Sequence, residues 1–247
     1  MSLPSQFLGL ALTLALLLVL SRWITSQVQI VGLRLTGNER FALTVYFLLM
    51  LPGIALHELS HAAMAKLLGL KVGKVTLGLR PRGKSVELGS VTVSSGGALR
   101  DSLVGLAPLL SGSVVLLVLG SQVFGVAALG DAWAHGGWSG VLQHADDLSS
   151  VPDFWLWAYV VFVVSNAMTP SPADRRPWLI AGLYLALALG LAYLLVGLPV
   201  LPDALSAKVS GALQLLTLSF LFTLIVDFLA AVVLLLLEVL IIQVQRT

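Results

Sequence analysis

The sequence predicts an all-α polytopic membrane protein: a six-helix transmembrane bundle with a short membrane-associated β-hairpin between helices 2 and 3. Three observations carry that expectation. Hydrophobic residues make up 58% of the 247 and charged residues only 11%, against about 25% charged in a soluble globular domain. A water-soluble fold of this size lacks the interior to hide so much apolar surface, so the excess must face lipid. Six apolar runs approach or exceed the ~20 residues that cross a ~30 Å hydrocarbon core. Between the second and third runs, the pattern changes from long apolar stretches to residue-by-residue alternation.

The first run covers about residues 7–20 and extends towards 24. No Lys or Arg precedes it, and no small-x-small cleavage pattern follows before Arg22 and Trp23. It reads as a retained helix rather than a signal peptide. The second and third runs cover about 41–68 and 103–129, the fourth 154–168, the fifth 178–200 and the sixth 213–244. At 1.5 Å per residue the sixth would be about 50 Å long, so it must tilt, kink or project beyond the bilayer. Within 72–93, Val75, Leu77 and Leu79 alternate up to Pro81-Arg82-Gly83-Lys84, and Val86, Leu88, Val91 and Val93 continue beyond it. Period two around a Pro/Gly turn predicts the hairpin. Two uses for it remain open: lying on the membrane surface, or offering an edge strand to an unwound substrate segment beside a site. No loop is long enough for an added soluble domain, so residues 1–247 read as a single membrane domain.

Charge sets the expected orientation. With six spans, the N-terminus, second loop, fourth loop and C-terminus share one side. That side carries Lys66, Lys71, Lys74, Arg80, Arg82, Lys84, Arg100, Arg175, Arg176 and Arg246, against Arg22, Arg34, Arg40 and Lys208 on the other. The loop between the third and fourth spans is acidic (Asp131, Asp146, Asp147, Asp153). The positive-inside rule then predicts a multi-pass cell-membrane protein with both termini cytoplasmic. A formal net charge of +2 offers no surface for nucleic acid. With no cysteine, disulfides, thiolate ligands and cysteine nucleophiles are excluded, so any metal must be held by the four histidines or by carboxylates.

His57-Glu58-Leu59-Ser60-His61 lies inside the second apolar run. Helical residues four apart lie ~6 Å along the axis and ~40° around it, so both imidazoles face one way and suit two ligands of a tetrahedral zinc. Glu58 then reaches a water beside the metal and takes its proton during attack on a carbonyl. Ionisable groups in a membrane span are costly and mark function by default. Zinc needs a third protein ligand and an open position. His135 and His144 fall in the acidic loop on the opposite side, and read as solvated loop residues or a weak accessory metal site. Asp174, just past the fourth span, is best placed. Asp227 and Glu238 fall in the sixth span, Asp227 as a structural pair or a proton relay and Glu238 as an interfacial residue. Pro170, Pro172 and Pro177 cannot continue a helix, so the chain unwinds after the fourth span. Unwound backbone at that depth needs protein or a water-filled cavity around it.

The segment Asn166-Ala167-Met168-Thr169-Pro170-Ser171-Pro172-Ala173-Asp174 resembles the second signature of the site-2 protease family of intramembrane zinc metalloproteases. The resemblance covers about 41–176, a three-helix catalytic core flanked by helices in 1–40 and 177–247. It implies one Zn2+ per chain held by His57, His61 and Asp174, Glu58 as the catalytic residue, and Asn166 as a substrate contact. Two departures mark a divergent, compact member: Arg175-Arg176 follows the Asp where the family has Gly, and Ala107-Pro108 is followed by Ser111 where the family has Gly-Pro and Asn.

The expected function is therefore hydrolysis of a peptide bond in or near the transmembrane segment of a membrane-protein substrate, by an intramembrane zinc metalloendopeptidase. The alternative is a non-proteolytic metal-binding scaffold or transporter, which would not need Glu58 beside the first histidine. A serine intramembrane protease is set aside, because it needs a histidine near a serine on another helix and none follows His144.

Overall fold

Short caps divide the first two helices. α1 (Leu3–Thr36) stops at Gly37, whose left-handed φ of 62° lets its N–H bond the Leu33 carbonyl at 2.8 Å. Asn38 then caps α2 (Glu39–Leu67) by accepting from the Arg40 and Phe41 amides at 3.0 and 3.2 Å. The computed structural model describes residues 2–82, 85–196 and 202–246. Among them it holds seven α-helices and one two-stranded antiparallel sheet. After α2 come β1 (Val72–Arg82) and β2 (Ser85–Val93), then α3 (Ala98–Val118), α4 (Val126–Ser149), α5 (Phe154–Ala167), α6 (Trp178–Val196) and α7 (Asp203–Arg246).

Four segments are long and apolar enough to cross a membrane: α1, α2, α3 with the π-helical turn that extends it to Val123, and α7. α5 and α6 are apolar but shorter. The hairpin forms where alternation placed it, with Val75 opposite Val91 and Leu77 opposite Gly89. Its expected turn at Gly83-Lys84 lies outside the described residues.

The expected count of six helices is corrected to seven. The third apolar run does not continue to residue 129: α3 gives way to a π-helical turn (Leu119–Val123), and Gly125 at φ 57° breaks the chain. The acidic segment read as a loop is α4, kinked where Gly137 takes φ 53°. Its Gly136-Gly137 pair and its aspartates interrupt the apolar pattern that marks a span, but they do not prevent a helix.

α1 and α7 lie side by side and run in the same direction. Gln6 Nε2 donates to Ser210 Oγ at 2.7 Å near one end, while Arg34 pairs with Glu238 at 3.3 Å and accepts from Gln245 Nε2 at its carbonyl (3.0 Å) near the other. This parallel pairing puts Leu3 and Arg246 at opposite ends of the pair, where six alternating spans would put the first helix start and the last helix end together. It also makes Glu238 an interhelical partner.

The buried core unites α1, α3, α5 and α7 through Leu17, Leu116, Phe124, Val161, Met168 and Phe220. Lipid is as apolar as such a core, so close packing rather than escape from water must hold these helices together. Small residues supply that closeness. At Gly53 in α2, a Cβ would strike the Val163 carbonyl and the Ala167 side chain of α5. At Gly105 in α3, it would strike the Asp174 carbonyl.

Candidate metal centre

α2 carries the motif across the middle of this packing. His57 and His61 stack edge to face with ring centroids 4.8 Å apart, and their Nε2 atoms are 3.2 Å apart. Each ring is held from behind by a backbone carbonyl of another helix: His57 Nδ1 lies 2.7 Å from Ala167 O on α5, and His61 Nδ1 lies 2.8 Å from Val104 O on α3. A carbonyl only accepts, so each Nδ1 bears a proton and Nε2 is the atom each ring turns to the shared space, a lone pair when the ring is neutral and an N–H towards Asp174 when it is protonated. Beside His61, Ser60 Oγ and Ser111 Oγ are 2.5 Å apart and tie α2 to α3.

Asp174 arrives from the segment after α5. Helix α5 ends at Ala167, and Pro170 and Pro172 prevent its continuation. The turn that follows is closed reciprocally: the Ser171 amide donates to Asp174 Oδ2 at 2.7 Å, and the Asp174 amide donates to Ser171 Oγ at 3.3 Å. Gly105 lets this turn press on α3. The carboxylate oxygens then lie 3.2 Å from His61 Nε2 and 3.8 Å from His57 Nε2. Burial raises the cost of the Asp174 charge, but hydrogen bonding with His61 and Ser171 outweighs it and holds the carboxyl below its ordinary 3.8.

Two imidazole nitrogens and a carboxylate thus converge with all ligand atoms within 4.8 Å of one another. Acceptor atoms so close repel unless a proton or a metal cation sits among them. Tetrahedral bonds of about 2.0–2.1 Å put ligand atoms about 3.3–3.5 Å apart; the two Nε2 atoms and the His61 Nε2–Asp174 Oδ1 pair, each 3.2 Å apart, lie close to this, while His57 Nε2 is 3.8 Å from the other oxygen, Oδ2. His57, His61 and Asp174 can hold a metal ion.

Glu58, 8% exposed, sits beneath β2, where a Cβ on Gly89 would lie 2.8 Å from its Cγ and 2.9 Å from Oε1. Two cavities meet at His57, Glu58, Gly89 and Ser171. The larger, about 1040 Å³, runs along β2 from Gly89 to Ser95 and past Asp101 and Arg176. The smaller, about 510 Å³, lies between α1, α2, β2 and the segment after α5.

The remaining candidates separate. Asn166 borders the smaller cavity, but its Nδ2 is committed to Phe162 O (2.8 Å) and Asp227 Oδ1 (3.3 Å). Asp227, fully buried, also accepts from Ser165 Oγ at 3.0 Å, so the structural pairing is present. His135 bonds the Asp131 carbonyl within α4 and belongs to no metal-holding group found among the described residues. The side chains of His144, Asp146 and Asp147 lie outside the described residues.

Sequence reasoning missed three residues at this site. Gly89 and Gly105 act through close approach alone, which no single sequence signals. Arg22, read as a charge beyond the first span, lines the smaller cavity, because α1 continues to Thr36. No protein-family model, no curated protein and no solved structure matches the chain.

Proposed function

We propose that the chain is an intramembrane zinc metalloprotease that hydrolyses a peptide bond in or near the transmembrane segment of membrane-protein substrates. One observation carries this reading: the Nε2 atoms of His57 and His61 and the Asp174 carboxylate converge beside the buried Glu58, at the meeting of two cavities within helices long enough to span a membrane. It agrees with the resemblance of both signatures to the site-2 protease family.

His57, His61 and Asp174 would hold a zinc ion, which when bound would supply Lewis-acid polarisation and a water acidic enough to lose its proton near neutrality. Glu58, a carboxylate outside the ligand set, would take a proton from water and return it to the leaving amine. The Ala167 and Val104 carbonyls keep both histidines in the tautomer that presents Nε2. The cavities admit water and an unwound stretch of substrate, whose backbone can pair with β2 along the larger cavity. Any contact from Asn166 would be made across the smaller one.

Lys66, Lys71, Lys74 and Arg100 gather where α2 ends and α3 begins, and Arg175 and Arg176 follow the metal-bearing turn. By the positive-inside rule, we assign this end of the bundle to the cytoplasm. On this assignment the start of α1 would be cytoplasmic and the end of α7 would face the other side, in place of the shared cytoplasmic side expected for both termini, a reading supported by the parallel α1–α7 pair.

The test pairs metal analysis with cleavage. Purified wild type should carry one zinc per chain and no stoichiometric iron, and should cut members of a panel of single-span proteins. Glu58→Gln should retain the zinc and lose about 10²–10⁴-fold in rate. Cleavage surviving in Glu58→Gln would sink the mechanism, and zinc missing from both proteins would sink the site.

A further inference from the structure

Arg22 stands well inside α1, a helix of 34 residues apolar enough to span a membrane. No acidic residue among the described ones lies within ion-pair distance of it. A guanidinium at such depth must meet water or an anion. Arg22 lines the smaller cavity, and so does Arg175, whose Nε donates to the Ser171 carbonyl at 3.4 Å on the turn that delivers Asp174. Among the described residues lining this cavity the only acid is Glu58, at the end shared with the metal-holding group. The larger cavity has the opposite character among the described residues, with Glu87, Asp101 and Asp174 along its wall besides Glu58, against Arg176 as the one Lys or Arg. The two spaces that meet at the metal centre therefore differ in charge.

We propose that the smaller cavity is a carboxylate-recognising subsite, in which Arg22 and Arg175 receive an acidic side chain of the substrate segment beside the bond presented to the metal. The proposal rests on the proteolytic reading above. Guanidinium groups match a carboxylate through paired N–H···O bonds, and both arginine side chains are exposed at the cavity rather than packed away. The wall suits such a side chain, with Ile54 and Leu88 for its methylene stem and the hydroxyl-bearing Thr25 and Tyr46 beside them. A volume of about 510 Å³ exceeds what one Asp or Glu needs. Charge then orients the substrate: its acidic position enters between α1 and α2, and its other side runs along β2.

Binding tests this separately from hydrolysis. The probes are single-span Leu/Ala model peptides with one Glu, moved residue by residue over one helical turn, and their Gln and Lys counterparts. They are titrated into zinc-loaded Glu58→Gln protein in phosphatidylcholine nanodiscs. The expected result is at least tenfold tighter binding of one Glu peptide than of its Gln counterpart. Arg22→Gln with Arg175→Gln should abolish that preference, and Arg22→Lys with Arg175→Lys, which keeps the charge but not the paired bonds, should retain part of it at unchanged zinc content. Equal affinity for Glu and Gln peptides at every position overturns the proposal. So does a preference that survives the double Gln variant, because the carboxylate would then be bound by the metal. Anionic phosphatidylglycerol abolishing the preference through the same arginines would assign them to lipid phosphate, and also overturns it. Absence of cleavage by wild type, with the binding preference intact, would instead count against the proteolytic reading alone.

Discussion

His57 Nδ1 lies 2.7 Å from the carbonyl oxygen of Ala167, so the tautomer of the motif's first histidine is set by the last residue of another helix, 110 positions away in sequence. That contact depends on α2 and α5 touching at Gly53, where a Cβ would meet the Val163 carbonyl and lie 2.8 Å from the Ala167 side chain. Gly53→Val touches no ligand, yet it must part the two helices and lengthen the His57 contact. We expect zinc affinity to fall about 10–100-fold, the usual effect of losing an outer-shell partner. Competition with a chromogenic chelator measures the affinity, and far-UV circular dichroism should show helix content preserved. Unchanged affinity would mean that the Ala167 carbonyl does not orient His57.

Asp174 is the ligand brought by an irregular segment, and its replacement should act on the metal more than on the fold. Asp174→Ala removes one of three protein donors, and we expect a loss of zinc affinity of about a hundredfold or more. The carboxyl is held below its ordinary 3.8 by hydrogen bonding with His61 and Ser171 that outweighs burial. A depressed carboxylate contributes above its unfolded value and loses that contribution as pH falls through its lower folded value. The window therefore lies below about pH 4, and the ratio of wild-type to Asp174→Ala zinc affinity should be the same at pH 6 and pH 8. A ratio that collapses by pH 6 would show Asp174 titrating in the wrong range.

Gly89 separates the roles of metal and base. A side chain there would approach the Glu58 carboxylate within 2.9 Å and must displace it. Gly89→Val should therefore lower cleavage at least tenfold while zinc content stays at one per chain, the phenotype of a misplaced base. The matching control is Leu77→Val, opposite Gly89 on β1, which lines neither cavity and should leave the rate within about threefold. Loss of zinc in Gly89→Val would show that β2 supports the ligands rather than the base.

The site was legible where chemistry sits in short sequence patterns. The histidine spacing and the prolines before Asp174 brought together His57, His61 and Asp174 before any coordinates, and alternation located the hairpin to within a residue of Val72 and Val93. Helix α4 was not legible, because apolar length is the signal for a span and this segment is polar, broken by Gly136 and Gly137. Arg22 was misplaced for a related reason: a charge reads as the end of an apolar run, whereas α1 carries it past a cavity and continues for 14 residues to Thr36. Parallel packing of α1 and α7 depends on pairs such as Gln6–Ser210, 204 positions apart, for which a single sequence holds no signal.

Asp227 offers a last discrimination. It is fully buried in α7, with Oδ1 accepting from Ser165 Oγ at 3.0 Å and from Asn166 Nδ2 at 3.3 Å, and Oδ2 without a partner among the described residues. Both donors sit in the last turn of α5, immediately before the carbonyl that holds His57. A clamp and a proton relay predict different phenotypes for the same substitution. If Asp227 clamps, Asp227→Ala strands two buried donors and should destabilise the protein by about 1–3 kcal/mol, read as a lower unfolding temperature in detergent. Asp227→Asn keeps an acceptor oxygen for both donors, so it should unfold closer to wild type and cleave within about threefold of it. A relay would instead lose its rate in Asp227→Asn with unfolding temperature and zinc content intact. That result would transfer Asp227 from the scaffold to the chemistry. We expect the first pattern, because the observed bonds tie α7 to α5 and none leads from Asp227 to Glu58.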